Sequence, residues 1–446
     1  MKEFSMFLNI KIILLSCYIL SCVPFPDSAR EVPVLPATSE ASALLKWKAT
    51  LDEQSQSLLS SWVGSNPCQG WMGIGCSKAT ANAQSVVTNI QLRNVSLVGT
   101  LLHVDTWSLQ NIVTLDLGWN ALFGNIPSNL VNMTQLRILQ LSFNKFSGVI
   151  PPEIGMLKYM SELSLNDNDL VGHIPDSIRN FTNLTLLYLS SNSLEGHIPD
   201  SIGNFTNLAV LYLAKNSLTG RIPNSIRNLV KLSQLYLFGN NLTGPIPPEI
   251  GALKLVYMCD LSQNFLTGAI HSTIGNMTNL DYLYLYGNEL SGSIPPEIAG
   301  ARTLIDLEIS DNSINGTIPI SFRNFTRLER LDLSNNQLSG LIPQDMNGTR
   351  MKNFQVSNNM LSGPLPHDIC ASGLIQLIGA AYNSFSGPVP KSLKNCNSLI
   401  RLRLDSNQLT GNISNDFGIY PELNYIDLSN NKLLVRCRAT GGCVLI

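Results

Sequence analysis

The thirteen residues LYLSSNSLEGHIP, Leu187 to Pro199, decide how this chain folds. Leu187 and Leu189 flank Tyr188, an alternation that buries two leucines on one side of a short strand and turns the tyrosine to the other. Asn192 ends the strand, Gly196 follows four residues later, and Ile198-Pro199 starts the way back. The same order returns as LDLSNNQLSGLIP at 331–343. Working outward from Asn192, the asparagine recurs at Asn120, Asn144, Asn168, Asn216, Asn240, Asn264, Asn288, Asn312 and Asn336 in steps of 24. After one step of 23 to Asn359 it resumes at Asn383, Asn407 and Asn431. A period held this long means stacked supersecondary units, none of which can hide its own leucines alone.

Each position in the unit has a physical reason. The asparagine amide can satisfy backbone groups of the bend and of the next coil that would otherwise be buried unpaired. A glycine stands four residues after it in thirteen consecutive coils, Gly124 to Gly411, where the turn calls for positive φ or close backbone approach. Ile-Pro then buries one side chain and sets φ for a helical turn on the outer side. His271 and Ser414 replace that proline in two coils, and the isoleucine is kept in both. Such a stack needs end caps. EASALLKWKATL (40–51) has amphipathic helical spacing, and SWVGSNPCQGWMGIGC (61–76) adds Trp62, Trp71 and the close pair Cys68/Cys76, expected to form a disulfide.

Only 13% of the chain is charged and the net charge is −2, which argues against a nucleic acid or an anionic membrane as partner. Residues 1–29 read as a secretory signal, with Lys2 and Lys11 around an apolar run from Ile10 to Leu20 that is too short to cross a bilayer. No later stretch reaches the roughly 18 apolar residues of a membrane helix, so the mature chain is expected to carry no membrane segment. Eleven Asn-x-Ser/Thr sequons point to an extracellular glycoprotein: Asn94, Asn132, Asn180, Asn183, Asn204, Asn241, Asn276, Asn315, Asn324, Asn347 and Asn412.

The cap and the LxLxxNxLxGxIP coils together resemble the ectodomains of plant leucine-rich-repeat receptor-like kinases, from Glu40 to Leu433. Within that group the NFTNL and IPPEIGxLK wording and the NDFG…YIDLSNNKL ending most resemble receptor kinases that sense secreted peptides. The resemblance implies an α/β solenoid: a right-handed superhelix with a parallel concave β-sheet, convex 3-10 or short-helix turns and an N-terminal helical cap with a disulfide. It implies a cap over residues 30–85, about 15 repeats over 86–434, and an aberrant tail over 435–446. In the tail, Val435 stands where the turn glycine belongs, and LVRCRATGGCVLI (434–446) continues no coil. Family members go on to a membrane helix and a cytoplasmic Ser/Thr kinase. No glycine-rich phosphate loop or HRD catalytic loop occurs here, and Asp416-Phe417-Gly418 falls at a convex coil position, so no kinase activity is expected of this chain. Either a short secreted form or an interrupted gene model accounts for the ending, with the interrupted model favoured.

Variable function is expected at the outward strand positions, six, four, two and one residues before each ladder asparagine. Tyr188, Tyr212, Tyr236 and Tyr284 stack at one of them, interrupted by Asp260, and Phe238, Tyr282 and Tyr286 widen the stripe. With strands about 4.8 Å apart the stripe suits an extended peptide, although neighbouring tyrosines can equally stack on one another to hold the sheet. An acidic patch follows (Asp306, Glu308, Asp311, Asp332), then Arg401 and Arg403 on one strand. The arginine pair resembles the one with which peptide-sensing members of the family hold a ligand's C-terminus; Asp405 and Asp427 offer ordinary surface pairs instead.

Cys259 reads as a small core residue, Cys370 and Cys396 as a bridge between adjacent coils or as two buried thiols, and no spacing suits a metal or a cofactor. Sequons twelve residues after a ladder asparagine (Asn132, Asn180, Asn204, Asn276, Asn324) would coat the convex side and leave the strands bare. The expectation is thus an extracellular recognition ectodomain, at the cell surface or secreted, that binds a secreted peptide for defence or developmental signalling and engages a co-receptor leucine-rich-repeat ectodomain. The alternatives are a secreted inhibitor of microbial wall-degrading enzymes, as the polygalacturonase-inhibiting proteins are, and a fragment of a transmembrane Ser/Thr kinase.

Overall fold

The computed structural model describes residues 37–78, 85–344 and 350–434. The signal segment, the tail with Cys437 and Cys443, and the sequon at Asn347 lie outside the described residues.

The alternating leucines build the expected inner sheet. Sixteen strands follow one another in chain order, from Ile74–Ser77 to Tyr425–Asp427. All pairings are parallel and in register except the first, where Ile74–Ser77 runs antiparallel to Val86–Gln91. The central residue of each strand points inward, so Leu163, Leu187, Leu211, Leu235, Cys259, Leu283 and Leu307 form one buried column. Cys259 is fully buried there as a free thiol, raised by burial far above its ordinary pKa.

Asn192 shows how coils are joined. Its Nδ2 donates to Ser190 O at 3.1 Å and Leu189 O at 3.2 Å in its own bend, and to Leu165 O at 3.0 Å in the coil before. Its Oδ1 accepts from Leu170 N of that same coil at 3.0 Å. The ladder therefore reaches back to the preceding coil, not forward as the sequence suggested, because the bend turns each amide toward the strand already laid down.

Two features of the bend escaped the sequence reading. The residue before the ladder asparagine is left-handed even where it is bulky, with φ 57° at Trp119 and 54° at Phe143. After the asparagine the chain forms a second strand, and these make a 15-stranded sheet along the flank of the coil. The glycines Gly124 to Gly411 sit in that sheet with positive φ. At Gly196 a Cβ would also meet His173 Nδ1 of the preceding coil at 2.2 Å, so close approach adds to the backbone requirement.

The convex side is built of 3-10 turns such as Asp176–Asn180 and Pro248–Ala252, entered through Pro175 and Pro247. His271 replaces the entering proline, and its ring nitrogen accepts from Thr273 N at 3.2 Å, a side-chain cap in place of fixed φ. At the Ser414 coil a short α-turn, Ile413–Asp416, takes the place of the 3-10 turn. Asp416 there accepts from Asn412 N at 2.6 Å, and Phe417 packs on the core, which gives the Asp-Phe-Gly tripeptide a structural role.

The cap consists of helices Ala37–Ala49 and Glu53–Leu58 with Trp62 stacked on Trp71, centroids 5.5 Å apart. Trp47 ties it to the first coil through a bond from Nε1 to Thr100 O at 2.9 Å. The Cys68–Cys76 disulfide closes its last loop. A second disulfide joins Cys370 to Cys396, with Cα atoms 5.5 Å apart, so of the two states open from sequence, a bridge or two buried thiols, the bridge is the one present. It staples a coil that, among the described residues, lacks a 3-10 turn between Asn324 and Lys391.

Candidate ligand-recognition face

The in-register inner sheet lines up the outward side chains across coils. The position four before the ladder asparagine reads Ser164, Tyr188, Tyr212, Tyr236, Asp260, Tyr284, Glu308, Asp332, Gln355, Gly379, Arg403 and Asp427. The predicted stripe thus runs over adjacent strands, broken at Asp260 as expected, and its members differ in exposure. Tyr236 and Tyr284 are 3% and 4% exposed and form a small second core with Ala214 and Met258. Tyr212, Phe238, Tyr257, Tyr282 and Tyr286 pack around that core and stay half-buried, Tyr257 being a ring that the sequence reading missed; Tyr188 is half-buried too. Tyr212 lies 4.8 Å from Tyr236 and 6.3 Å from Tyr188, centroid to centroid. Self-stacking and surface presentation are therefore divided among the rings: the two buried tyrosines support the stripe and the half-buried rings offer its face.

Burial governs the titration of this surface. It pushes the hydroxyls of Tyr212, Tyr236 and Tyr284 well above the usual range and that of Tyr286 up to about 12. The carboxyl of Asp260, which interrupts the stripe, rises to about 7 through burial, against bonds from Ser262 N at 3.0 Å and Ser262 Oγ at 2.6 Å.

Beyond the stripe the acidic residues are not equivalent. Asp306 is fully buried and accepts from Tyr284 Oη at 2.9 Å and Arg330 Nε at 2.6 Å, with Arg330 Nη2 closing the ion pair. Burial raises its carboxyl, and Arg330 pulls it down. Arg330 stands six residues before Asn336, a position the repeat rule marks as outward, and it was missed because its partner lies in the coil before. Glu308 is half-buried and no hydrogen-bond donor among the described residues reaches it; burial, Asp306 and Asp332 lift its carboxyl to about 8. Asp332 takes its bonds from Ser334, and burial raises it. Asp311 is exposed and accepts from Asn335 Nδ2 at 2.8 Å.

The two arginines also part company. Arg403 grips Asp405 through Nε and Nη2, each at 3.2 Å, the surface pairing weighed from sequence. Arg401 lies over the Tyr425 ring at 4.5 Å and makes no ion pair among the described residues. Asp427 is occupied by Ser429.

The described sequons avoid the inner strands. Asn132, Asn180, Asn204, Asn276 and Asn324 each end a convex 3-10 turn, and Asn241 and Asn315 lie on the flank sheet. An open convex groove of about 1010 Å³, walled by Glu297, Arg302 and Arg323, contains Asn276 and Asn324 and is remote from the stripe. Among the described residues no cluster of His, Cys, Asp and Glu suits a metal ion, and no helix is long and apolar enough to cross a membrane.

Comparison with known proteins agrees with this geometry. Residues 37–77 match a leucine-rich-repeat N-terminal domain model, 106–242 a leucine-rich-repeat region model, and 279–301, 303–325 and 327–348 single leucine-rich repeats. Among curated relatives, MDIS1-interacting receptor like kinase 2 of Arabidopsis thaliana is 42% identical over 122 residues, 26% of this chain and 10% of its own length. The leucine-rich repeat receptor-like protein FASCIATED EAR2 of Zea mays is 37% identical over 99 residues, 21% of this chain and 16% of its own length. These matches thus span a small part of each relative. Among solved structures, the Arabidopsis receptor kinase HAESA, in complex with the peptide hormone IDA and the co-receptor SERK1, is 34% identical with a TM-score of 0.75. The match covers 89% of this chain and 70% of that one.

Proposed function

This chain belongs to the leucine-rich-repeat family of plant receptor-kinase ectodomains, and from that premise we propose that it is an extracellular recognition module whose concave sheet binds a secreted peptide in an extended conformation. One observation carries the reading: a row of half-buried rings, Tyr188, Tyr212 and Phe238 and, past Asp260, Tyr282 and Tyr286, lies on the inner sheet, the face that the described sequons leave bare. Large rings with few rotatable bonds give contact area at low entropic cost. The solved HAESA complex supports both a peptide ligand and a co-receptor ectodomain as partners for this architecture. Residues 30–85 act as the cap and 86–434 as the recognition coil in this reading, and the chain itself transfers no phosphate.

The test is capture. The secreted chain, immobilised, is exposed to the peptide fraction of plant extracellular fluid and retained peptides are identified by mass spectrometry. Retention of a defined peptide is expected, with about a tenfold loss for Tyr212→Ala combined with Phe238→Ala. Retention unchanged by that pair removes the concave face from the account, and retention of a wall-degrading enzyme in place of peptides replaces the reading with an inhibitor.

A further inference from the structure

The residue before each ladder asparagine belongs to a column of its own along the rim of the inner sheet, and its members touch across coils. Asn335 Nδ2 donates to Asp311 Oδ1 at 2.8 Å, Asn358 Nδ2 donates to Asn335 Oδ1 at 2.6 Å, and Trp119 stacks on Phe143 with ring centroids 3.9 Å apart. Where the column holds a glycine the approach is as close: a Cβ added to Gly239 would meet Lys215 Cγ of the coil before at 3.5 Å.

The first coil joins this column through Asn94. Trp119 N donates to Ser142 O at 2.8 Å and Phe143 N to Asn166 O at 2.9 Å, each one coil on, and Asn94 N donates to Gly118 O in the same way at 2.9 Å. All three residues are left-handed, with φ 56° at Asn94, 57° at Trp119 and 54° at Phe143. The step from Asn94 to Trp119 is 25 residues, so counting back by the 24-residue period lands on Val95 and hides the match.

Asn94 is exposed and opens the sequon Asn94-Val95-Ser96. It stands about one strand spacing, about 4.8 Å, from Trp119, on the side away from Phe143. The indole is 40% exposed, and its N–H meets no acceptor among the described residues, whereas Trp47, Trp62 and Trp71 each donate theirs to a backbone carbonyl. A bulky ring in left-handed backbone is strained where Gly239 and Gly287 serve in other coils. Strain, an open ring face and an unused donor thus meet beside one sequon. Toward the sheet, Arg93 Nη1 reaches across the next coil to Gln140 Oε1 at 2.8 Å and gives the place a polar wall.

We propose that Asn94 carries an N-linked glycan and that Trp119, backed by Phe143, is the seat of its first N-acetylglucosamine. In the secretory pathway the Asn94 amide nitrogen takes the oligosaccharide from a lipid diphosphate: the N–C1 bond forms, the C1–O bond breaks, and lipid diphosphate and a proton leave. The C–H face of the sugar then covers the negative face of the indole, and its acetamide oxygen supplies an acceptor of the kind that the indole N–H lacks. Sugar, Trp119 and Phe143 make one stack, which closes the rim where the cap meets the first coils. The seat requires the extracellular route alone and is independent of what the concave face binds.

For the test, the full secreted chain is produced with high-mannose glycans and trimmed by an endoglycosidase that leaves one N-acetylglucosamine on each occupied asparagine. Glycopeptide mass spectrometry should find Asn94 occupied. With isotope-labelled acetyl groups, one acetyl methyl resonance should lie upfield of the rest, shifted by the ring current of the indole. That resonance should vanish in Ser96→Ala, which removes the sequon, and rejoin the others in Trp119→Ala. Amide hydrogen exchange over 93–97 and 118–121 should be about fivefold slower with the sugar than in Ser96→Ala, and the difference should disappear in the Trp119→Ala background. Unchanged exchange beyond Asn144 reports that each variant keeps its fold. An unoccupied Asn94, the absence of a shifted methyl, a shift that survives Trp119→Ala, or equal exchange with and without the sugar overturns the seat. Failure of the peptide capture leaves each of these readings unchanged.

Discussion

The two halves of the inner sheet are built by the same repeat and carry opposite kinds of chemistry. From Leu186 to Tyr286 the large outward side chains are mainly aromatic rings, and most of these rings pack into a second, smaller core above the leucines. From Asp306 to Asp427 charged residues take the place of most of the rings, and some of them meet in pairs: Asp306 with Arg330, Arg403 with Asp405. The difference teaches that the repeat fixes where an outward side chain stands and leaves its exposure to its neighbours one coil away. Aromatic neighbours cover one another; charged neighbours cover one another only where signs alternate.

The largest effect is expected from emptying the aromatic half. Tyr236→Ala removes a 3%-exposed ring and should cost about 3–5 kcal/mol locally, read as lost hydrogen-exchange protection in strands 210–212, 234–236 and 258–260 with little change beyond Asn336. Uniform loss along the coil would mean that the small core is not a separate unit.

In the charged half, Arg330→Ala leaves Asp306 buried without its cation. Arg330 itself is 36% exposed, so the expected cost is about 2–3 kcal/mol, below that of a wholly buried pair. Asp306→Asn in the same background should recover part of it. No recovery would assign the loss to packing of the arginine stem.

Acid should stabilise both halves. Asp260, at about 7 folded against 3.8 unfolded, and Glu308, at about 8 against 4.5, hold protons in the folded chain that the unfolded chain has released. Their contribution is least unfavourable below the unfolded values, and stability is lost as pH rises toward the folded ones. Glu40 in the cap, raised to about 7 by burial, acts in the same sense. The melting temperature should therefore be higher at pH 5 than at pH 8, with the slope reduced in Asp260→Asn; an opposite slope would show these carboxylates to be charged in the fold.

The smallest effect belongs to Arg401. Without an ion pair among the described residues it should cost less than about 0.5 kcal/mol on change to alanine, measured by thermal unfolding. A large cost would make the stack on Tyr425 structural and withdraw the arginine from recognition.

Much of this architecture was legible because a 24-residue period leaves few choices. The asparagine ladder, the turn glycines and the convex turns follow from one unit repeated. The flank sheet was not legible, since its strands carry a polar, glycine-containing pattern that period-two reasoning passes over. The fate of Tyr236 and Tyr284 was also hidden. Alternation says that both point out of the coil, and only Ala214, Met258 and the flanking rings, brought beside them from other coils, say that they are covered. Arg330 and Asp306, 24 residues apart, form a pair for the same reason.

By itself the sequence determined the coil, its register, and which side chains each turn presents to the inner face, because these depend on local stereochemistry and on a period that can be counted. Tertiary structure alone decided which of those side chains stay open to a partner, which carboxylates lack a cation, and that Cys370 meets Cys396. Each of these depends on contacts between neighbouring coils, and such contacts exist only once the coil has closed on its neighbour.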